Sequence, residues 1–162
     1  MDEKSKKEIQ AFKALKKGNH LEAENLLRKI VSSGTNNYFV YGSLAVLIEK
    51  KGNINEMLEY LTHSTKLNPN YAEGYFNLGI IYLKKGDFDN AVDSFFNTIR
   101  IRPEDSNALN MLGVAFFKKG NIKSSISYYS KAIELNPQND NIYNNLAIAY
   151  SKSGNFLSLI HI

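Results

Sequence analysis

A glycine recurs in this chain every 34 residues, at Gly18, Gly52, Gly86, Gly120 and Gly154. The three prolines of the chain, Pro69, Pro103 and Pro137, keep the same interval. Self-similarity at a constant period of this length is typical of proteins built from stacked copies of one supersecondary unit. The chain is therefore predicted to form a repeat domain over residues 1–162, in which each copy packs against its neighbours.

The apolar residues within each copy indicate two helices. Numbering the copies so that proline falls at position 32 gives repeats 4–37, 38–71, 72–105, 106–139 and a partial repeat 140–162. Before the glycine, apolar or small residues are spaced by three and four, as one helical face requires; in the third repeat these are Tyr75, Leu78, Gly79 and Tyr82. After the glycine a second series follows, which in the same repeat is Phe88, Ala91, Phe95 and Ile99. The fold class is therefore predicted to be all-α.

The residues between the helices act as start and stop signals. The recurring glycine can adopt the left-handed conformation that ends a helix, and the Asn or Asp after it can cap the next helix. Proline stops the second helix, and Asp105 or Asp140 is expected to cap the helix that follows. A small residue at position 8, such as Gly79, is expected to let the two helices approach closely, with Ala91 facing it in that repeat and Ala23 in the first.

The third repeat resembles the tetratricopeptide repeat family most clearly, through Tyr75, Leu78, Gly79, Tyr82, Ala91, Phe95 and Pro103. The resemblance covers essentially the whole chain. It implies a right-handed superhelical solenoid of helix-turn-helix hairpins. The first repeat is degenerate, because Lys7, Gln10 and Ala14 replace bulky residues and Thr35 replaces proline.

The last repeat is predicted to be truncated. It contains a first helix and a glycine turn, but the chain ends at Ile162, and Leu159 stands where a small residue is expected. The tail after Phe156 also resembles the translation of a synthetic adapter used in sequencing libraries. We therefore expect the natural chain to continue past Phe156; a genuine terminal helix is the alternative.

Composition excludes several classes of protein. The chain has no cysteine, which excludes disulfides and thiolate metal sites. Its net charge of +4 is concentrated in recurring Lys-Lys pairs that suit helix C-termini, so no nucleic-acid-binding arm is predicted. We expect neither a signal peptide nor a membrane anchor, and a cytoplasmic location is the default. No constellation of side chains indicates catalysis, a metal or a cofactor, and the chain is therefore not expected to be an enzyme.

The resemblance implies that the first helices line a concave groove that binds a partner. The groove residues predicted in this way are Glu73, Phe76, Asn77, Ile80, Lys84, Asn107, Asn110, Met111, Val114, Lys118, Asn141, Asn144, Asn145, Ile148 and Lys152. The dense asparagines resemble the asparagine ladder of O-linked sugar transferases and suit peptide-backbone binding, although asparagine is frequent throughout this chain. The lysines suit either acidic partner segments or the negative ends of their own helices. The carboxylate clamp of chaperone-binding members is absent.

These observations predict a protein–protein interaction scaffold that holds a partner segment in the groove. The alternative is the N-terminal substrate-guiding arm of a longer transferase whose catalytic part lies outside this chain. A third hypothesis is self-association through the uncovered C-terminal helix, which contains Tyr143 and Tyr150.

Overall fold

A computed structural model describes residues 3–49 and 52–154, apart from the side chain of Lys4. Within these residues the chain forms nine α-helices and no strand, so the predicted all-α repeat fold is confirmed. The helices are α1 (Glu3–Lys16), α2 (His20–Ser32), α3 (Tyr38–Ile48), α4 (Ile54–Leu67), α5 (Ala72–Lys85), α6 (Phe88–Ile101), α7 (Ser106–Lys118), α8 (Ile122–Leu135) and α9 (Asp140–Ser153). The prediction about the tail after Phe156 lies outside the described residues.

The chain divides into two compact units, Met1–Gly74 and Tyr75–Ile162, with the boundary inside α5. In the first unit, side chains of α1 to α4 form a core in which Leu27, Leu44 and Leu61 are fully buried. In the second unit one cluster surrounds Phe95 and Leu112, and another surrounds Tyr129, Ile142 and Leu146. The leucines, Phe95 and Tyr129 named here occupy positions 7 and 24 of the repeat pattern, whereas Ile142, at position 3, was not part of that pattern.

The recurring glycines end the first helices in the predicted way. Gly18, Gly52, Gly86, Gly120 and Gly154 have φ values between +70° and +87°. At Gly120 the chain reverses with two hydrogen bonds, from Gly120 N–H to the carbonyl of Phe117 and from Asn121 N–H to that of Phe116. These bonds satisfy carbonyl groups that the end of α7 would otherwise leave without partners.

The helix caps agree with the prediction at most sites and differ at two. The side chains of Asn53, Asp87, Asn121 and Asp105 each accept a hydrogen bond from a backbone N–H in the first turn of the next helix. The prediction that Asp140 caps α9 is wrong: Asn139 is the cap, accepting from Asn141 N–H at 3.1 Å, and Asp140 is the first helical residue. Asn19 is the N-cap residue of α2, but its side chain accepts no capping hydrogen bond; its amide donates to Glu22.

The degenerate first repeat replaces its missing proline with a network of hydrogen bonds. The Thr35 hydroxyl, on a residue only 4% exposed, donates to Glu8 of α1, and the Asn37 amide donates to the other oxygen of Glu8 at 2.8 Å. The Tyr41 hydroxyl donates to the Thr35 carbonyl. Together with the left-handed Gly34, these bonds define the end of the repeat without a proline ring.

An ion pair joins α2 to α4 in the first unit. Arg28 donates to both carboxylate oxygens of Glu56, at 2.5 and 3.3 Å, and its Nε donates to Glu24 on its own helix. The Tyr60 hydroxyl also donates to Glu56. The hydrogen bond from Arg28 is the main reason that the pKa of Glu56 lies below its usual value.

Glycine at position 8 admits an aromatic ring rather than a second small residue. A Cβ atom built on Gly79 would lie 2.6 Å from the ring of Phe95, and one on Gly113 would lie 2.6 Å from the ring of Tyr129. The three atoms nearest to a Cβ on Gly79 all belong to Phe95, which was not predicted to pack on this glycine. Alanine occupies the same position in the first two repeats, where Leu27 and Leu61 stand in place of the aromatic residue.

Candidate partner-binding face

Helices α7 and α9 of the second compact unit present neighbouring side chains on one surface. The amide of Asn145 donates to Asn110 Oδ1 at 3.0 Å, and the ammonium of Lys152 lies 5.3 Å from the ring centre of Phe117. On α5, Phe76 and Ile80 pack against the same buried cluster as Met111 of α7. We call this surface the first-helix face; it comprises Phe76, Asn77, Ile80, Lys84, Asn107, Asn110, Met111, Val114, Lys118, Asn141, Asn144, Asn145, Ile148 and Lys152.

The exposure of these residues varies widely. Among the described side chains of the face, the exposed ones are Lys84, Asn107, Lys118, Asn141, Asn144, Ile148 and Lys152. Phe76, Asn77, Ile80, Met111, Val114 and Asn145 are half-buried, and Asn110 is buried. Glu73, which was predicted to belong to the same site, lies in the first compact unit and is exposed.

The apolar residues of the face divide between core and surface. Phe76 packs edge-on against the buried ring of Phe95, with 5.7 Å between ring centres, so much of its area contributes to the core. Ile148 differs, because 56% of its surface is accessible to solvent. An aliphatic side chain left this open among polar neighbours is available to a partner.

Two of the asparagines, Asn110 and Asn145, are hydrogen-bonded to each other. Asn110 is 9% exposed, and the bond from Asn145 across to its Oδ1 joins residues that are 35 positions apart. This bond uses one acceptor and one donor of the pair, so the remaining amide groups are fewer than a row of free asparagines would offer. The exposed amides of the face are Asn107, Asn141 and Asn144.

The lysines that end the first helices have different environments. Lys119 forms an ion pair with Asp89 of α6, away from the face. Its neighbour Lys118 is exposed on the face, and Lys152 of α9 lies over Phe117 of α7. A cation placed over an aromatic ring is attracted by the negative face of the ring, which favours this position of Lys152.

The first compact unit has an aromatic surface at the equivalent positions. Phe39 and Val46 of α3 are 42% and 51% exposed, and the ring of Phe12 of α1 lies 5.2 Å from that of Phe39. These residues are not among the predicted groove residues. The signal was present, because Phe39 occupies position 2, and Phe12 and Val46 position 9, of their repeats.

A cavity in the first compact unit contains one of the histidines. Its volume is about 580 Å³, and its lining includes Tyr41, Glu59, His63 and Lys66. The ring of His63 packs against that of Tyr41, with 4.3 Å between centres. Glu59 precedes His63 by one helical turn, a pair that was not predicted from the sequence. In the described parts of the chain, no group of three His, Asp or Glu side chains is arranged to hold a metal ion.

The far side of α9 is less covered than the same side of the earlier first helices. Ala147 is half-buried, whereas Ala45, Gly79 and Gly113 at the same repeat position are buried. Tyr143 and Tyr150 on this side are also half-buried. Self-association through this side remains a prediction.

None of the helices in 3–49 and 52–154 is long and apolar enough to cross a membrane.

Comparisons with known proteins agree with the repeat. Models described as tetratricopeptide repeat match residues 40–71 and 72–105, and a model described as TPR repeat matches residues 115–154. No curated protein sequence matches the chain.

Solved structures of MamA share its fold. One, MamA 41-end from Desulfovibrio magneticus RS-1, is 18% identical, with a TM-score of 0.88 over 99% of this chain and 92% of that chain. A MamA RS-1 ArsTM double mutant gives 0.89 at 18% identity over 99% and 91% of the two chains. A further MamA crystal structure gives 0.88 at 22% identity over 98% and 86%. Such identities establish the fold alone, and the repeat matches, which together cover more than half of the sequence, establish that the chain belongs to the tetratricopeptide repeat family.

Proposed function

We propose that this chain is a binding module that holds a segment of a partner protein against the first-helix face of its second compact unit. The tetratricopeptide repeats support a protein-interaction scaffold, which is typically non-enzymatic. The location of the site on this face is our own proposal.

The observation that carries the proposal is the exposure of Ile148 beside the exposed polar residues of α9. Its side chain is 56% accessible, and the exposed amide of Asn144 lies one helical turn before it. Burying such an aliphatic side chain against a partner is favourable by about 1 to 2 kcal/mol. The amides around it can donate to and accept from polar groups of the partner segment, which orients that segment on the face.

A substitution at Ile148 tests this location. Ile148→Asp replaces the exposed aliphatic group with a carboxylate that a partner would have to desolvate, so we expect captured partner to fall at least about tenfold. The measurement is affinity capture from lysate of the source organism with purified chain as bait, quantified by mass spectrometry. Leu135→Asp is the matched control, because Leu135 is 45% exposed at the end of α8, outside the face.

The two variants also separate binding from folding. Both residues are exposed, so circular dichroism should show the same helical content as the original chain. Equal capture by Ile148→Asp and the original chain, with both folded, would show that the partner does not use this face.

A further inference from the structure

Repeat numbering sorts ten residues of the first-helix face into three strips across α5, α7 and α9. Asparagines at positions 5 and 6 form the first strip, in which Asn144 is exposed, Asn77 and Asn145 are half-buried and Asn110 is buried. The middle strip is aliphatic and occupies position 9 of each repeat: Ile80, Val114 and Ile148. The third strip is cationic and occupies position 13: Lys84, Lys118 and Lys152. At 1.5 Å per residue, the aliphatic and cationic strips lie about 6 Å apart along each helix.

Within α5, α7 and α9, the charged residues at the lysine edge are all cationic. Helix α7 contains no acidic residue, and the only acidic residues of α5 and α9 are Glu73 and Asp140, at the opposite ends of their helices. Lys118 and Lys152 are exposed there. Lysine near a helix C-terminus also compensates the helix dipole, but that role does not require an aliphatic strip one turn away.

The lysines on the face differ from a neighbouring lysine in what they contact. Lys119 is paired with Asp89 on a second helix, whereas Lys118 beside it lies on the face. Lys152 reaches from α9 across to the ring of Phe117 on α7. Its charge is therefore held over the seam between two first helices, beside the aliphatic strip, where an occupant of the face would meet it.

Resting on the proposed function, we infer that the occupant of the first-helix face is an amphipathic helical segment with an aliphatic stripe and carboxylates along one flank. The aliphatic stripe packs on Ile80, Val114 and Ile148. The carboxylate flank faces the lysine strip, and the other flank, carrying neutral polar groups, faces the asparagines. Lysines also attract nucleic acids, but a sugar-phosphate backbone has no apolar side chains that could pack on the aliphatic strip.

Three synthetic peptides test this chemistry. All three share leucines at helical spacing; the residues on one flank are glutamate in the first, glutamine in the second and lysine in the third. Fluorescence anisotropy with the purified chain at low salt should give affinities in the order glutamate, glutamine, lysine. Added salt should reduce the advantage of the glutamate peptide, because exposed charges are screened.

Two double variants test whether the lysine strip causes the preference for the glutamate peptide. Lys118→Gln with Lys152→Gln should weaken binding of the glutamate peptide about fivefold, since each exposed ion pair contributes modestly, and should leave the glutamine peptide unchanged. Lys123→Gln with Lys131→Gln removes the same charge from α8 and should leave both affinities unchanged.

Several results would overturn the inference. They are equal binding of the three peptides, equal losses in the two double variants, and tighter binding of a poly-thymidine oligonucleotide than of the glutamate peptide. If the peptides bind equally well but Ile148→Asp abolishes binding, the charge assignment fails and the face remains a binding site. If no peptide binds, the inference fails, and capture with Ile148→Asp decides the proposed function separately.

Discussion

Replacing Gly79 with alanine is expected to lower the free energy of unfolding by about 2 kcal/mol, although alanine is the better helix former. The added methyl group would lie 2.6 Å from two ring atoms of Phe95. Phe95 is fully buried, so a shift of its ring must displace other residues of a close-packed core. The cost of this overlap exceeds the gain of about 1 kcal/mol that alanine brings to a helix interior.

A second substitution should rescue the first. The opening repeats combine alanine at this position with leucine opposite, as in Ala45 and Leu61, and both residues are fully buried there. Phe95→Leu alone should destabilise the protein by leaving a cavity, but the pair Gly79→Ala and Phe95→Leu should lose less than the sum of the single changes. We expect a coupling energy of about 1 to 2 kcal/mol in urea denaturation followed by circular dichroism. Additive effects would mean that Gly79 and Phe95 do not constrain each other.

Alkaline pH is expected to destabilise the original chain more than a Tyr129→Phe variant. Burial raises the pKa of Tyr129 to about 12, against an ordinary value near 10, because the phenolate form loses its hydration. Between these values the unfolded chain releases the proton and the folded chain keeps it. The unfolded state then binds fewer protons, so the free energy of unfolding falls as pH rises, by about 2 to 3 kcal/mol from this residue.

The difference between the two proteins isolates this contribution. Phe95 occupies the same repeat position as Tyr129, so phenylalanine suits it, and stability near neutral pH should change by less than about 1 kcal/mol. Urea denaturation across the range from pH 8 to pH 12 should show the two curves separating above about pH 10, with the variant more stable. Parallel curves throughout would show that Tyr129 does not retain its proton in the folded chain.

The sequence predicted the helices well because the period of 34 residues constrains every repeat at once. Gly18 and its equivalents lie at the helix ends where the pattern placed them, and all have a positive φ. Periodicity assigns a residue to a face but does not resolve which neighbour fills a contact. For that reason Phe95, one turn beyond Ala91, was not recognised as the residue packed on Gly79. Asn139 and Asp140 are adjacent and both suit a cap, so the backbone of the loop decides between them.

The candidate site was predictable in position but not in detail. Repeat numbering placed Asn110 and Asn145 on the same face, and the structure shows that their amides are used on each other. Repeat numbering selected Lys118 and not its neighbour Lys119, but the ion pair that Lys119 forms with Asp89 of α6 required the structure. The aromatic surface around Phe12 and Phe39 was missed because these repeats match the family pattern less closely than the third and fourth.

Site-specific photo-crosslinking tests the central claim most directly. A photoreactive phenylalanine analogue replaces Ile148 on the first-helix face in one protein and Leu135 on α8 in another, and both are irradiated in lysate of the source organism. We predict that Ile148 yields a discrete crosslinked partner that Leu135 does not. A partner that crosslinks through Leu135 and not through Ile148 would contradict the claim that the first-helix face is the binding surface.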